Sequence, residues 1–271
     1  KLSKIMHNYK LLIAYEGARY SGWQIQKNGI SIQALLEKYL SIILRTPIKV
    51  IGSGRTDAGV HAIGQVAHFK TTTSFEFSHL LKSLNGLLPP DIRVLSIEEA
   101  PLDFHARYSA IGKVYHYYLH TGPVKDPFNR FYTYRVPHSI TLDTLIQAAQ
   151  LFIGTHDFTS FANEANTGSA AKNAVRNLRR LSILQEEEYI CLELEANGFL
   201  YKMVRNIVGT LLDICSGKIA LEKIPAIFQA KDRRLAGRTA PAHGLILAKV
   251  NYETPFNFDP PFLFLLKNYK P

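Results

Sequence analysis

Apolar residues along this chain fall into two kinds of spacing, compact runs and stripes repeating every three or four positions. The run Tyr9-Lys10-Leu11-Leu12-Ile13-Ala14-Tyr15 predicts a first strand. Ile32, Leu35, Leu36, Tyr39, Leu40 and Ile43 form the stripe of an amphipathic helix. Ile48 to Gly52 predicts a strand that runs into a glycine-rich loop, and Gly64 to Phe69 predicts a returning strand. Phe77, Leu80, Leu81, Leu84 and Leu88 predict a second helix. Pro89-Pro90 must stop it, because proline lacks an N–H and crowds the preceding turn. Ile92 to Ile97 predicts a fourth strand, so the order is β-α-β-β-α-β.

That order then recurs. Lys113 to Leu119 is a tyrosine-dense strand, and Leu142, Leu145, Ile146, Ala149 and Phe152 form a helical stripe with Thr141 placed to cap it. Asn177 to Leu184 and Tyr189 to Leu194 predict a strand pair around the acidic turn Glu186-Glu187-Glu188. Val204, Ile207, Val208, Leu211, Leu212 and Cys215 form another helix, ended at Gly217, and Leu245 to Val250 is a last strand. Two such halves, 1–108 and 109–271, predict a duplicated ferredoxin-like α+β unit. No long polar linker separates them, so one continuous, mostly antiparallel sheet with flanking helices is expected. The polar stretch Ala162 to Ala174 predicts a flexible loop, and Lys231-Asp232-Arg233-Arg234 an exposed basic one. The aromatic cluster Phe256 to Leu266 is open to reading as core or as subunit interface.

Composition narrows the classes. Of 271 residues, 46% are hydrophobic and 20% charged, which excludes a mostly disordered chain. The formal net charge of +10 suggests an acidic partner, nucleic acid or an anionic surface. Two cysteines, Cys191 and Cys215, exclude a disulfide framework and a cysteine-rich zinc module. No apolar run approaches the roughly 18 residues of a membrane helix. No apolar segment follows the basic start Lys1 to His7, so no secretory signal and a cytoplasmic chain are expected. The histidines show no metal-site spacing, His61 and His68 being seven apart, and no metal is expected.

The densest candidate chemistry is Gly52-Ser53-Gly54-Arg55-Thr56-Asp57-Ala58-Gly59-Val60-His61-Ala62. Such a loop between two strands can present one carboxylate into a cleft, or it can be a tight turn in which Asp57 bonds local backbone. The phosphate-loop pattern is absent, and an Asp at the centre would repel phosphate. Arg205, near a helix start beside an apolar stripe, either snorkels to the surface or needs an anionic partner. Tyr115 and Tyr117 share one face of their strand and Tyr118 takes the other. They suit either a half-buried core or a platform for a stacked base. Lys27, Arg55, Lys125, Arg130, Arg176, Arg179, Arg180, Lys202, Arg233, Arg234 and Arg238 are spread among loops, which together favour a phosphate-backbone footprint.

Several of these blocks together resemble the tRNA pseudouridine synthase A family. Gly54-Arg55-Thr56-Asp57-Ala58-Gly59-Val60-His61-Ala62 is similar to its signature, and Tyr15-Glu16-Gly17 with Tyr20 to Gln26 to its N-terminal strand and loop. Lys113-Val114-Tyr115-His116-Tyr117 resembles its tyrosine motif. Gly198-Phe199-Leu200 through Met203 to Gly209 resembles its arginine motif. Ala240-Pro241-Ala242-His243-Gly244-Leu245 resembles its active-site wall. These blocks stand in family order across about residues 9 to 252. The tyrosine block opens Gly112-Lys113-Val114 where some relatives carry consecutive arginines, which bears on local phosphate contacts but not on Tyr115.

The resemblance implies the pseudouridine synthase fold with a central cleft. It implies an isomerase that converts uridine to pseudouridine at positions 38 to 40 of the tRNA anticodon arm. It also implies a homodimer, no cofactor, and neither DNA nor membrane as partner. Residue by residue, it implies Asp57 as the catalytic aspartate, Tyr115 as the tyrosine that stacks on the target base, and Arg205 as the arginine that pairs with the aspartate. Arg55 would help evict the base, with Lys113, Gly244 and Leu245 also contacting substrate. The chemistry suits these residue types: the reaction breaks N1–C1′, turns the base and rejoins it through C5, with nothing oxidised or reduced. A carboxylate can attack, stabilise charge at C1′, or take a proton. Two other functions remain open at this point, a non-catalytic RNA-binding module and a glycosidic-bond hydrolase.

Overall fold

The computed structural model describes residues 5–137, 139–163 and 173–256. Among them the chain forms two compact units, 5–111 with 246–256, and 112–245. Both are α+β with mostly antiparallel sheets, as the recurring pattern predicts.

In the first unit β1 (His7–Tyr15) lies between β3 (His61–Thr71) and β4 (Ile92–Ala100), antiparallel to both. Neighbours on both edges satisfy the backbone of β1, and side chains on both of its faces are buried almost throughout, which is why β1 is a run rather than an alternation. β2 (Ile51–Gly52) pairs with β3, and β10 (Leu245–Asn251) runs parallel to β3 through Ile246 and Leu247. The last strand thus pairs with the first half, although chain order assigns it to the second repeat. Helix α1 (Ile32–Leu44) buries Ile32, Leu36 and Leu40, and α2 (Phe77–Leu87) buries Leu80 and Leu84. Ser31 caps α1 by accepting from Ala34 N at 3.3 Å. Glu76 caps α2 by accepting from Ser78 N and His79 N at 2.9 and 2.6 Å.

The expected strand Ile48–Gly52 shortens to β2. Ile48 and Val50 are buried, but their N–H groups go to side chains of α1, Ser41 Oγ at 2.9 Å and Glu37 Oε1 at 3.0 Å. Buried backbone donors need partners, and here a helix rather than a neighbouring strand supplies them.

In the second unit the sheet order is β5 (Gly112–His120), β9 (Tyr189–Ala196), β8 (Val175–Glu186), β7 (Gly154–Asp157), all antiparallel neighbours. The short β6 (Tyr134–Arg135) lies parallel to β5. Helices α3 (Leu142–Gln150), α4 (Met203–Cys215) and α5 (Ile224–Ala230) complete it. Phe152, Phe158 and Phe161 are wholly buried with Leu192, Leu194, Ile207 and Leu211. Thr141 stands at the start of α3, but its side chain makes no capping bond.

The basic loop expected at Lys231–Arg234 does expose Lys231 and Arg234, and Arg233 departs from the expectation. Arg233 is half-buried and donates to Ala236 O, Gly237 O, Asn206 Oδ1 and Thr239 Oγ1. Lys231 pairs with Asp157 at 2.8 Å, and Arg234 folds back on Asp232. The charges of this turn are spent within the protein. Residues 164–172 of the polar stretch and 257–266 of the aromatic cluster lie outside the described residues.

Candidate active site

The Asp57 loop joins β2 to β3 and is held from several directions. Trp23, buried, donates its backbone N–H to Thr56 O at 3.1 Å, and Tyr15 Oη meets Thr56 Oγ1 at 2.8 Å. Gln65, wholly buried on β3, donates to Gly54 O at 3.1 Å and accepts from Ser53 Oγ at 2.7 Å. Val60 N donates to Asp57 O at 3.1 Å and closes the turn. Gly17 N donates to His61 Nδ1 at 3.0 Å, fixing the far end. Burial drives the Tyr15 hydroxyl up to about 12, against the lowering pull of its bonds to Thr56 and Gln65, so it stays a neutral phenol. The result is a loop whose backbone is anchored at 54, 56 and 57, with the His61 ring held at its far end, while Asp57 itself stays part-exposed.

Gly22 explains how the 15–23 segment comes so close. Its φ is +90°, and a Cβ there would lie 2.5 Å from Thr56 O and 3.0 Å from Asp57 C. Only glycine permits both the backbone angle and the approach. Arg55 projects from this loop and donates Nε to Gln24 Oε1 at 3.2 Å.

The other predicted residues lie in the second unit. Arg205 is third in α4, half-buried, and donates Nε to Ala240 O at 2.7 Å, while Ala240 N returns a bond to Arg205 O at 2.9 Å. A cation in the first turn of a helix opposes the dipole, which favours anions there, so the position suits an arginine that meets an anion. The segment bearing Ala240 lies against α4. Gly237 N donates to Thr210 Oγ1 and Arg238 N to Asp213 Oδ2, each at 2.9 Å. Thr239 Oγ1 donates to Asn206 Oδ1 at 2.7 Å. Gly209, inside α4, makes room for Arg238 O, where a Cβ would sit 1.6 Å away.

Tyr115 and Tyr117 are both buried on one face of β5. Tyr115 meets Phe199 edge to face, centroids 5.1 Å apart at 87°. Tyr117 Oη donates to Pro241 O at 2.9 Å, and burial raises its hydroxyl far above the ordinary range despite the nearby Arg205 charge. The Gly244 backbone lies on the Tyr117 ring, where a Cβ would be 2.7 Å from Cζ. Leu245 follows it, buried, at the start of β10. Lys113 is half-exposed near the start of β5. Tyr118 takes the opposite face, its hydroxyl 3.3 Å from His116 Nδ1.

Thus the first unit holds Asp57 and Arg55, and the second brings Tyr115, Arg205, Gly244 and Leu245 onto β5, α4 and the 237–245 segment. The sequence blocks contain Trp23 and Thr56 without giving either a part in holding the Asp57 loop, and Gln65 lies outside them. Sequence reasoning also missed the part of Asn206, the hub under Arg205. Asn206 is wholly buried, donating to Phe161 O and Asn163 Oδ1 and accepting from Arg233 and Thr239. A lone Asn beside an apolar helical stripe was the available signal. The basic footprint is also thinned. Arg180 pairs with Glu193 and Glu195 at 2.9 and 3.1 Å, and Arg238 lies 3.5 Å from Asp213. Among the described residues no group of three His, Cys, Asp or Glu is placed to hold a metal ion, and no helix is long and apolar enough to cross a membrane.

Comparison with known proteins agrees with these blocks. A family described as tRNA pseudouridine synthase matches residues 11–109 and 148–253. The chain is 56% identical over 249 residues to tRNA pseudouridine synthase A 1 of Protochlamydia amoebophila, covering 92% of this chain and 97% of that one. It is 46% identical over 251 residues to tRNA pseudouridine synthase A of Chlamydia muridarum, covering 92% and 93%. To tRNA pseudouridine synthase A of Acetivibrio thermocellus it is 42% identical over 247 residues, covering 91% and 100%. Identity of this extent, together with matched segments that contain the Asp57 loop and the Arg205 helix, means that the chain belongs to the tRNA pseudouridine synthase family.

Proposed function

We propose that this protein isomerises uridine to pseudouridine in tRNA, at positions 38 to 40 of the anticodon arm, with Asp57 as the reacting carboxylate. The observation that carries this is the anchoring of the Asp57 loop. Bonds from Trp23 and Gln65 to backbone carbonyls, and from Tyr15 and Gly17 to the Thr56 and His61 side chains, hold the loop on both sides of one part-exposed acid. Holding a reacting group in place before substrate arrives lowers the entropic part of the barrier.

The target base leaves its stack at a few kcal/mol, which Arg55 and stacking on Tyr115 offset. The N1–C1′ bond breaks, the base turns, C5 bonds to C1′, the C5 proton leaves to solvent or to a base such as Tyr115, and the freed N1 takes up a proton, so that the product is an isomer of the substrate. No electrons are gained or lost overall. Arg205 is the cation assigned to the reacting carboxylate, and Lys113, Gly244 and Leu245 line the substrate. The working assembly is a homodimer in the cytoplasm, in keeping with two free thiols.

The test uses an unmodified tRNA transcript incubated with the protein or with Asp57→Ala, and pseudouridine mapped by base-specific derivatisation and primer extension. Stops in the anticodon arm, lost in the variant while tRNA affinity stays within about tenfold, are expected. Turnover by pure Asp57→Ala would remove the catalytic assignment. Binding without any stop would favour an RNA-binding module, and free uracil a hydrolase.

A further inference from the structure

A recess of about 540 Å³ opens in the second unit, lined by Pro123, Val124, Lys125, Tyr134, Arg135 and His243. That volume falls within the roughly 300–1,000 Å³ of small-ligand sites. Its lining combines two kinds of chemistry. Tyr134 and His243 offer rings that meet edge to face, centroids 6.2 Å apart at 66°, with the Arg238 guanidinium 6.0 Å from the Tyr134 ring. Lys125 and Arg135 offer positive charge. Arg135 is braced by bonds from Nε to Gly122 O at 3.2 Å and from Nη2 to Pro123 O at 2.6 Å, which use two of its five donors.

Among the described residues no carboxylate pairs with Lys125 or Arg135. The nearby acids are occupied elsewhere. Asp126 accepts from Tyr189 Oη and Asn129 Nδ2, and Glu188 faces His120. On the same segment Val124 is 76% and Phe128 87% exposed, large apolar surface that a bound partner would cover. Stackable rings beside unneutralised cations are what a nucleotide needs, a π-face for its base and charge for its phosphate.

His243 adjoins Gly244 and Leu245, the wall assigned above to the reacting uridine. We infer that this recess is a subsite for a nucleotide neighbouring the target, its base stacked on the Tyr134 ring with the inclined His243 ring at its edge, and its phosphate held by Lys125 and Arg135. This rests on the reading of RNA as substrate. It adds that the protein grips the strand beside the reacting base and so selects which uridine is presented.

The probe is an anticodon stem-loop RNA carrying 2-aminopurine at one position at a time on either side of the target. Stacking should quench its fluorescence at one flanking position with the native protein. Tyr134→Leu should relieve that quenching and weaken binding roughly five- to a hundredfold, whereas Tyr134→Phe, which keeps the ring, should not. Lys125→Gln, at an exposed position that carries no fold, should reduce the slope of log Kd against log salt by roughly 0.7–0.9. Unchanged quenching in Tyr134→Leu overturns the inference. So does a Lys125 salt effect with no position-specific quenching, because that describes a general phosphate contact. Native protein that quenches one position yet forms no pseudouridine would keep the subsite and remove the proposed activity. Pseudouridine formed without localised quenching would do the reverse.

Discussion

Gly22→Ala is the sharpest perturbation of the Asp57 loop, because it alters no charged side chain and meets only the backbone of residues 56 to 58. A Cβ at 22 meets Thr56 O at 2.5 Å, and ordinary contact begins at 3.4 Å, so something must give by about 0.9 Å (3.4 − 2.5). The φ of +90° adds strain, roughly 1–2 kcal/mol for a residue with a Cβ. Thr56 is the immediate neighbour of Asp57, and a misplacement of about 1 Å at a reacting group costs on the order of 100-fold in rate. At this size each kcal/mol lowers Tm by roughly 2–4 °C. The expected outcome is a Tm lowered by about 2–8 °C and single-turnover pseudouridine formation slowed about 10- to 100-fold, with RNA affinity little changed. Gly86→Ala is the control. It lies in α2 with nothing within 4 Å of the added Cβ, so it should leave turnover alone and stabilise by roughly 0.5–1 kcal/mol. Gly22→Ala with native Tm and native rate would refute the claim that close approach of the 15–23 segment sets the loop.

Three other outcomes are expected. His68 is buried, accepts from Ala106 N at 3.1 Å, and burial together with the neighbouring His105 and Lys70 charges brings it down to about 4 from 6.5. The unfolded imidazole then takes a proton at higher pH than the folded one. Its contribution is therefore full above about pH 6.5 and lost as pH falls towards 4, by roughly 3 kcal/mol. Urea unfolding at pH 7.5, 5.5 and 4.5 should show a steeper acid loss in the native protein than in His68→Gln, and identical slopes would sink the assignment. Asn206→Ala orphans the Phe161 carbonyl and the Arg233 and Thr239 donors, and should cost roughly 1–3 kcal/mol in chemical denaturation. Native-like stability would show that water replaces the network. Burial raises both thiols, Cys215 up to about 11 and Cys191 further, so neither should react with iodoacetamide at pH 8 while folded. Mass spectrometry showing Cys191 labelled before unfolding would contradict this.

Long stripes and compact runs were legible because their apolar surface must be buried whatever packs against it. That holds for α1, α2, α4 and the strands β1, β5 and β9. Short elements were not. β6 and β7 span two and four residues and α5 seven, too few for any period to emerge. The run Ile48–Gly52 misled for a different reason. Its β-propensity is real, but propensity does not say whose oxygen receives an N–H. In this fold Glu37 and Ser41 do. Arg233 misled in the same way, since a charge in a turn looks exposed until Asn206 and Thr239 are found beneath it.

The sequence by itself determined the family blocks around Asp57, Tyr115 and Arg205, the repeated α+β order and the excess of positive charge. Each is a property of residue types and local spacing. Only the tertiary structure decided how the Asp57 loop is held, because Trp23, Gln65 and Gly22 reach it through contacts set by packing, and not by distance along the chain. Only the structure showed that Arg233 and Arg238 are spent inside the second unit while Lys125 and Arg135 are not. Charge is additive along a sequence, but its availability to a partner depends on which neighbours the fold has already brought within a few ångströms.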